Sequence, residues 1–383
     1  MSGIAHNLVR RAVAVTQQHY NTPQGDNDDQ IKKIATWGMI LIWVTGVLYF
    51  AMMSAISYTY GDVIATLTMI ETPTATAFTV ESTDETEAPL LDQKPEDAKA
   101  IEADLFLVKQ KPITSTMRSA IKHLKARGGR LARFRGFHVA LIYHIALSVG
   151  TNFMTSLFGS PFGSLTRPLA FIVVSVVLAR LNMTWTHIII SNPSEKRWYR
   201  RIVSGKAARK IMIPTAVFAI AQLSLCLPGF ILSMASNTWQ RPSSHGDEKE
   251  YAQKLVLFQV AMAAIAFILI VVLVVIPADV TLKRVQASML PEEDEAIVPF
   301  DRTFGGKVVP EILGGSGAVS MFDAWKTFDR SARVRLLKLY AKIFLVQLFT
   351  TILFIMVVFG ELRVIMGDDL RKAVRMGQEQ LMR

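Results

Sequence analysis

Residues Val275–Leu290, VIPADVTLKRVQASML, mark the point where a long apolar run ends and a cationic loop begins. Pro277 lacks a backbone N–H and clashes with the preceding helical turn, so it predicts a break or bend there. Asp279 follows two residues later, and Lys283 and Arg284 come next. An acid just inside the end of a membrane helix needs a partner or water. This stretch is therefore either a candidate functional site or a helix end that carries polar residues by chance.

The composition predicts an integral membrane protein. Of the 383 residues, 51% are hydrophobic and only 19% are charged, a smaller charged share than soluble domains carry. A membrane helix needs about 20 mostly apolar residues, and six runs are long enough. The candidate spans are Thr36–Tyr58, Phe137–Leu157, Pro168–Ile190, Ile211–Ala235, Leu255–Ile276 and Tyr340–Phe359. The single cysteine, Cys226, lies inside the fourth span, so no intramolecular disulfide is possible.

The net charge of +11 is concentrated in the loops between spans one and two, three and four, and five and six. Cationic loops stay on the side from which the chain is inserted, so this distribution predicts that all three share one face. Both termini are then expected on the opposite face, although cations in the C-terminal tail count against it. Because the charge follows the loops, we expect no nucleic-acid partner.

The same order of segments recurs three times: an apolar span, a polar turn, a basic amphipathic segment and a second span. In the first copy Met117, Ile121 and Leu124 recur at helical spacing, which predicts a surface helix ended by Gly128-Gly129. The matching segments are WYRRIVSGKAARK from Trp198 and AVSMFDAWKTFDRSARVRLLKLY from Ala318. Repeats of this kind are typical of pseudo-symmetric transporters.

The predicted divisions follow this repeat. They are a flexible polar N-terminus at 1–33, repeat 1 at 34–158, repeat 2 at 159–240, repeat 3 at 250–365 and a polar C-terminal tail at 366–383. Repeat 1 contains an acidic insertion at 70–104, rich in Thr, Pro, Glu and Asp, which we predict to be disordered. Within the 291–320 loop, Phe300, Phe304 and two glycines predict a folded turn docked on another surface.

These residues give the chain a resemblance to the mitochondrial carrier family, whose signature P-x-[DE]-x-x-[KR] ends each odd-numbered helix. Pro277-Ala278-Asp279 resembles the third signature, Tyr60–Ile64 the first with Tyr60 in place of proline, and Asn182–His187 falls where the second belongs. The resemblance implies an all-α membrane fold with six transmembrane helices in three pseudo-symmetric helix–surface helix–helix repeats. It also implies a gate at the signature positions, here Asp62, Thr184, His187, Asp279 and Lys283.

The departures from the signature are substantial. The acidic positions hold Asp62, Thr184 and Asp279, and the basic positions hold Ala65, His187 and Leu282, with Lys283 one residue out of register. At most one or two of the family's three ion pairs can form. His187 is then either a titrating gate element or a histidine that merely hydrogen-bonds.

The family resemblance places a solute cavity midway along the even-numbered spans. The candidate cavity residues are Tyr143, His144, Arg180, Gln222 and Gln347, a set that is polar but nearly uncharged. For Tyr143 and Gln347 the alternative is interhelical hydrogen bonding. Arg180 has three alternatives: pairing with Asp62 or Asp279, reaching out to the membrane surface, or binding an anionic solute.

The expected function is carrier-like transport of a small solute by alternating access, in a mitochondrial membrane, inner rather than outer, with the peroxisomal membrane left open. The alternative is a transport-inactive, carrier-like scaffold or membrane-dynamics factor. The expected partners are the bilayer, including anionic lipid at the surface helices, an unidentified solute, and a protein bound through the 291–320 loop. We found no nucleophile, phosphate-binding or metal-ligand pattern, so we expect no enzyme activity and no cofactor.

Overall fold

The computed structural model describes residues 36–72, 75–79, 105–109, 112–159, 163–239, 246–309 and 314–366. Within these ranges the chain is helical apart from one two-stranded ribbon. The predictions for the two termini, 1–33 and 367–383, and for most of the acidic insertion lie outside the described residues.

The helices appear in this order: α1 Thr36–Ile56, a π-helix Ser57–Ile64, α2 Ala65–Ile70, α3 Met117–Gly128, α4 Phe137–Phe158, α5 Thr166–Val177, α6 Ala179–Ile190, α7 Gly205–Leu223, α8 Leu227–Trp239, α9 Gly246–Ile270, a π-helix Val271–Val275, α10 Ile276–Ser288, α11 Met321–Lys326 and α12 Arg330–Met366. Short 3₁₀ helices occupy Ile113–Ser115, Arg130–Phe134, Gly163–Leu165, Trp198–Arg201 and Ser224–Cys226.

Five helices in the described part are long and apolar enough to cross a membrane, and the bent pair α5–α6 makes a sixth if it counts as one span. They cover Trp37–Ile70, Arg130–Phe158, Gly205–Met234, Lys254–Ser288 and Arg330–Met366, with the pair at Gly163–Val177 and Ala179–Ile190. These helices indicate a multi-pass membrane protein, and each coincides with a predicted span. We number the spans one to six in chain order, counting α5–α6 as span three.

Each odd-numbered span contains an irregularity. Span one includes the π-helix Ser57–Ile64, span three bends by 57° at Leu178, and span five includes the π-helix Val271–Val275. Of the break or bend predicted at Pro277, the break does not occur, because the helix continues to Ser288. The wider π turn just before the proline gives its ring room.

A two-stranded ribbon brackets most of the insertion predicted at 70–104. Strand β1, Ala75–Thr79, pairs antiparallel with β2, Leu105–Lys109, and Ala75 lies opposite Lys109. Threonine, phenylalanine and valine favour strands, and the ends of the insertion supply them, so the acidic composition of its middle did not describe its edges. Residues 80–104 lie outside the described part of the chain.

The three basic segments differ more than their sequences predicted. The first forms α3, ended by Gly128-Gly129, as predicted, with Ala120 and Leu124 buried. The second is not one surface helix, since it forms only the 3₁₀ turn Trp198–Arg201 before Ser204 caps α7. The third is interrupted at Thr327, between α11 and α12.

The chain divides into two compact units. In the unit made of residues 1–51 and 349–383, α1 and α12 pack through a Tyr49–Phe354 ring stack at 4.0 Å and a Thr45 hydroxyl that donates to Glu361 at 2.5 Å. The unit of residues 52–348 contains the ends of the odd-numbered spans, the basic segments and the loop after α10.

That loop lies across the ends of spans one and three within the second unit. We call residues 289–309 the strap. The N–H of Ile297 donates to the carbonyl of Ile190 at 2.9 Å, and the N–H of Thr72 donates to the carbonyl of Pro299 at 3.0 Å. Phe304 is buried, and Phe300 packs beside it. The predicted folded turn is therefore confirmed, and the surface on which it docks belongs to this chain.

Candidate functional site

The ends of α2, α6 and α10 contact one another inside the unit of residues 52–348. A polar face of α6 and a polar face of α10 meet there, since Asn182 and Thr186 lie one helical turn apart and face Gln286. We call this cluster the polar junction; its members are Asp62, Asn182, Thr186, His187, Asp279, Lys283 and Gln286.

A chain of hydrogen bonds joins α6 to α10. The Lys283 ammonium donates to the Thr186 hydroxyl at 3.1 Å, and that hydroxyl donates to Oε1 of Gln286 at 2.6 Å. The amide nitrogen of Gln286 then donates to Oδ1 of Asn182 at 2.9 Å. All four side chains are buried. Buried polar groups cost free energy unless they are paired, so this chain specifies how the two helices fit together.

Lys283 is the cation of the junction. Its ammonium lies 4.8 Å from the centre of the Trp185 ring, within range of a cation–π interaction. It also interacts electrostatically with Asp279 on its own helix and with Asp62 in span one. Lys283 is buried, whereas the two aspartates are partly exposed. One lysine thus interacts with all three odd-numbered spans.

The structure brings together four of the five predicted gate residues. Asp62, Asp279 and Lys283 form the charged part of the junction, and Nε2 of His187 lies 2.8 Å from the Gln286 carbonyl oxygen. Thr184 is fully buried, but its hydroxyl donates to the Arg180 carbonyl in its own helix. The residue of α6 that bonds α10 is Thr186, two residues after the Thr184 that the signature implied.

The five predicted cavity residues do not converge. Tyr143 is buried against Trp185, with ring centres 6.0 Å apart, and Gln347 donates to Ser57 of span one at 2.8 Å. Both make the interhelical contacts that were the alternative for them. His144 is exposed and its ring bonds the Ala140 carbonyl, and Gln222 is exposed as well.

Arg180 does not pair with Asp62 or Asp279. It is exposed, and its guanidinium donates to the Val203 carbonyl at 3.0 and 2.8 Å. The cause is the bend at Leu178, which the sequence did not reveal: span three changes direction there, and Arg180 begins the second segment at the edge of the helices. The Ser175 hydroxyl donates to the Phe171 carbonyl just before the bend, a contact that tends to bend helices.

A second cationic site lies beside the junction, where span two begins and span three ends. It is a cavity of ≈ 290 Å³. Its polar lining includes Arg135, His138, Lys196 and Arg201. Arg135 donates to the Ile188 carbonyl at 2.9 Å, yet its Nη1, like Nε of Arg201, is buried without a partner.

Ion pairs join this second site to the strap. Lys196 contacts Glu293 at 2.6 Å and Arg201 contacts Asp294 at 2.9 Å. The hydrogen bond from Lys196 to Glu293 raises the pKa of the lysine. Lys196 is fully exposed, so solvent screens that pair.

No protein-family model, curated protein or solved structure matches the chain. In the ranges that the structure describes, no group of three or more His, Cys, Asp or Glu side chains could hold a metal ion. The case for a function therefore depends on the geometry of the polar junction.

Proposed function

We propose that the protein is a carrier-like transporter that moves a small solute across a membrane by alternating access, with the polar junction as one of its gates. The supporting observation is the position of Lys283. Its ammonium donates to Thr186 of span three and interacts with Asp62 of span one and Asp279 of span five. A single charged group that holds three helices is suited to a gate, because its movement releases all three together.

A threefold repeat with carrier-like organisation is part of the proposal. The order of an irregular odd-numbered span, a basic segment and an even-numbered span occurs three times, which supports it. The irregularities, at Ser57–Ile64, Leu178 and Val271–Val275, are each followed by a further helical segment that completes the span.

The bonds of this gate suit reversible opening. Breaking a buried ion pair by removing a partner costs about 3–5 kcal/mol, whereas a neutral hydrogen bond contributes about 1 kcal/mol net. The bonds between Thr186, Gln286 and Asn182 are neutral. Once the Lys283 ammonium has left Thr186, opening between α6 and α10 therefore needs less free energy than separating three ion pairs.

The test is flux in liposomes that contain the purified full-length chain, with a panel of amines, amino acids, carboxylates and phosphates. Lys283→Met keeps the methylene chain but removes the ammonium, and we expect it to lower flux at least tenfold. Lys125→Met is the matched control, because Lys125 is exposed on α3. If wild-type protein moves no solute of any class, the transport proposal fails.

A second candidate function, a transport-inactive scaffold, is favoured by the strap. Arg284 holds the strap region closed by donating to the carbonyls of Ala324 and Met69 at 2.8 and 2.9 Å, with Phe304 of the strap stacked on its guanidinium. A scaffold needs such a closed end permanently, whereas a transporter must release it. If wild type and Arg284→Met are both folded and both inactive in flux, the scaffold is the better account.

Anionic lipid is the partner that we propose for the second cationic site. The two buried guanidinium nitrogens without partners, on Arg135 and Arg201, support a negatively charged headgroup. The mitochondrial location, inner rather than outer membrane, is a proposal that depends on the family resemblance alone. Fractionation of tagged protein tests it against the peroxisomal membrane.

A further inference from the structure

The surroundings of the Lys283 ammonium have the composition of a binding site for an organic ammonium ion. An indole face lies on one side, at 4.8 Å from the nitrogen. A hydroxyl oxygen accepts at 3.1 Å, and the carboxylates of Asp62 and Asp279 supply the negative field. Aromatic faces with carboxylates and hydroxyl acceptors are what proteins use to bind alkylammonium groups.

The charges at this place do not balance. Two carboxylates face one ammonium, and the neighbouring cation, Arg284, points elsewhere, toward Met69, Ala324 and Thr327. An excess negative charge in a low-dielectric interior attracts a proton or a cation.

Access favours exchange with a ligand. Asp62 and Asp279 are partly exposed, whereas Lys283 is buried and lies over the Trp185 ring. The partly exposed carboxylates are therefore the groups that a cation can approach, whereas the lysine is buried. Tyr340 of span six also interacts electrostatically with both carboxylates, so a residue of a fourth span lies near them.

We propose that the polar junction binds the primary ammonium group of an organic solute, in exchange with the Lys283 side chain. As a statement about the transported solute, this inference rests on the transport function proposed above. The solute ammonium takes the place of the lysine on the Trp185 face and at the Thr186 hydroxyl, and the displaced lysine no longer holds the three odd-numbered spans. Binding of the correct cation and opening of the gate are then one event.

The chemistry distinguishes a primary ammonium from other cations. The Thr186 hydroxyl and the two carboxylates accept hydrogen bonds, which a primary ammonium can donate and a quaternary ammonium cannot. A carboxylate solute is repelled by Asp62 and Asp279. A neutral alcohol of the same length lacks the charge that the indole face attracts.

Chemical complementation of Lys283→Ala tests the site through binding alone. This substitution removes the ammonium and leaves space for a short alkylammonium. The probes are n-butylammonium, tetramethylammonium and n-butanol, and the readout is thermal unfolding of the full-length protein in detergent. We expect n-butylammonium to raise the melting temperature of Lys283→Ala at about tenfold lower concentration than wild type needs, since no internal competitor remains.

The effect must depend on the carboxylates. In Lys283→Ala/Asp279→Asn we expect the n-butylammonium response to disappear, while Lys125→Ala responds as wild type does. Equal responses to tetramethylammonium or butanol, or no response in Lys283→Ala, overturn the inference. If Lys283→Ala does not fold, Asp62→Asn decides: the wild-type response to n-butylammonium must be lost in it, and a retained response overturns the inference.

Flux separates this inference from the transport proposal. Flux of primary amines that is lost in Asp62→Asn supports both. Flux of carboxylates without any amine binding supports the transport proposal and overturns the proposal of an ammonium site. Amine binding without flux of any solute supports the ammonium site as a ligand site and removes the transport function.

Discussion

Arg284 joins span five to several other elements, and each contact uses a different part of its guanidinium. Nε donates to Ala324, Nη1 to Met69 and Nη2 to the Thr327 hydroxyl, while Phe304 and Phe328 lie 4.7 and 5.4 Å from its centre. We expect Arg284→Met to cost about 2–4 kcal/mol, because two buried carbonyls lose their donor. Thermal unfolding in detergent measures this loss.

Arg284→Lys is the informative control, since it keeps the positive charge but loses the planar guanidinium and its several N–H donors. We expect it to melt between wild type and Arg284→Met. A melting temperature for Arg284→Met equal to that of wild type contradicts the stabilising role assigned to the Arg284 guanidinium.

Asp301 organises the tip of the strap. Its carboxylate accepts from the hydroxyl and N–H of Thr303 at 2.6 and 2.8 Å and from the N–H of Gly305 at 2.6 Å. The hydrogen bond from the Thr303 side chain is the largest cause of the lowered pKa of Asp301. Because the folded pKa lies below the unfolded value of about 3.9, this stabilisation is present above about pH 4 and is lost as the pH falls through the folded pKa.

We therefore expect the strap of the wild type to become susceptible to pepsin only as the pH falls below about 4, whereas Asp301→Asn is already susceptible at pH 5. Cleavage within 300–308, mapped by mass spectrometry, is the measurement. Equal susceptibility of the two proteins at pH 5 argues against the carboxylate as the organising group.

The sequence predicted those site residues whose charge stands out in apolar surroundings. It did not predict those whose role depends on which helix faces meet. Asp62, Asp279 and Lys283 stand out as charges in apolar surroundings, and the structure groups them. Thr186 and Gln286 looked ordinary, because their importance depends on which faces of α6 and α10 meet. Asn182 and Thr186, four residues apart, were the available indication of a shared polar face.

At the scale of elements, the residue before α4 adopts a left-handed backbone conformation that favours glycine. Gly136 has φ +73°, and an added Cβ would lie 3.2 Å from Trp185, 3.3 Å from Ile188 and 3.5 Å from the Tyr58 hydroxyl. We expect Gly136→Ala to destabilise the protein by about 1–2 kcal/mol through backbone strain and crowding. The measurement is again the melting temperature in detergent.

Gly229→Ala is the matched control, because Gly229 lies within α8 and nothing lies within 4 Å of an added Cβ. Alanine favours helix over glycine, so we expect no loss of stability there. A Gly136→Ala protein as stable as Gly229→Ala contradicts the close packing of α4 against Trp185.

Elements defined by long apolar runs were predictable, and their interruptions were not. All six spans follow from hydropathy, since about 20 apolar residues leave few alternatives. The bend at Leu178 lies inside such a run, without glycine or proline to mark it; the Ser175 hydroxyl bonds the Phe171 carbonyl just before it, a contact that often accompanies helix bends. Strand β1 was missed because pairing with β2, distant in sequence, stabilises it.

At the scale of the second unit, its hydrogen-bonded connections gather where the odd-numbered spans end. His123 of α3 lies 2.9 Å from the Ile297 carbonyl oxygen of the strap, Lys196 pairs with Glu293, and Lys210 donates to Ser316. The strap and the segment after it therefore touch the other two basic segments. Since these contacts join the three basic loops directly, we expect the loops to lie on one face of the membrane.

Cysteine labelling tests this arrangement. In a Cys226→Ser background, Lys122→Cys, Glu195→Cys and Lys307→Cys place one exposed thiol in each basic loop, and Ser164→Cys places one at the N-terminal end of span three. Sealed proteoliposomes treated with a membrane-impermeant maleimide label only outward-facing sites. In a preparation with mixed orientations, we expect the same fraction of the protein to be labelled in each of the three loop variants. In Ser164→Cys we expect the remaining fraction of the protein to be labelled. If one loop cysteine follows Ser164→Cys instead, the number of crossings between them is wrong, and with it the gate formed by three odd-numbered spans.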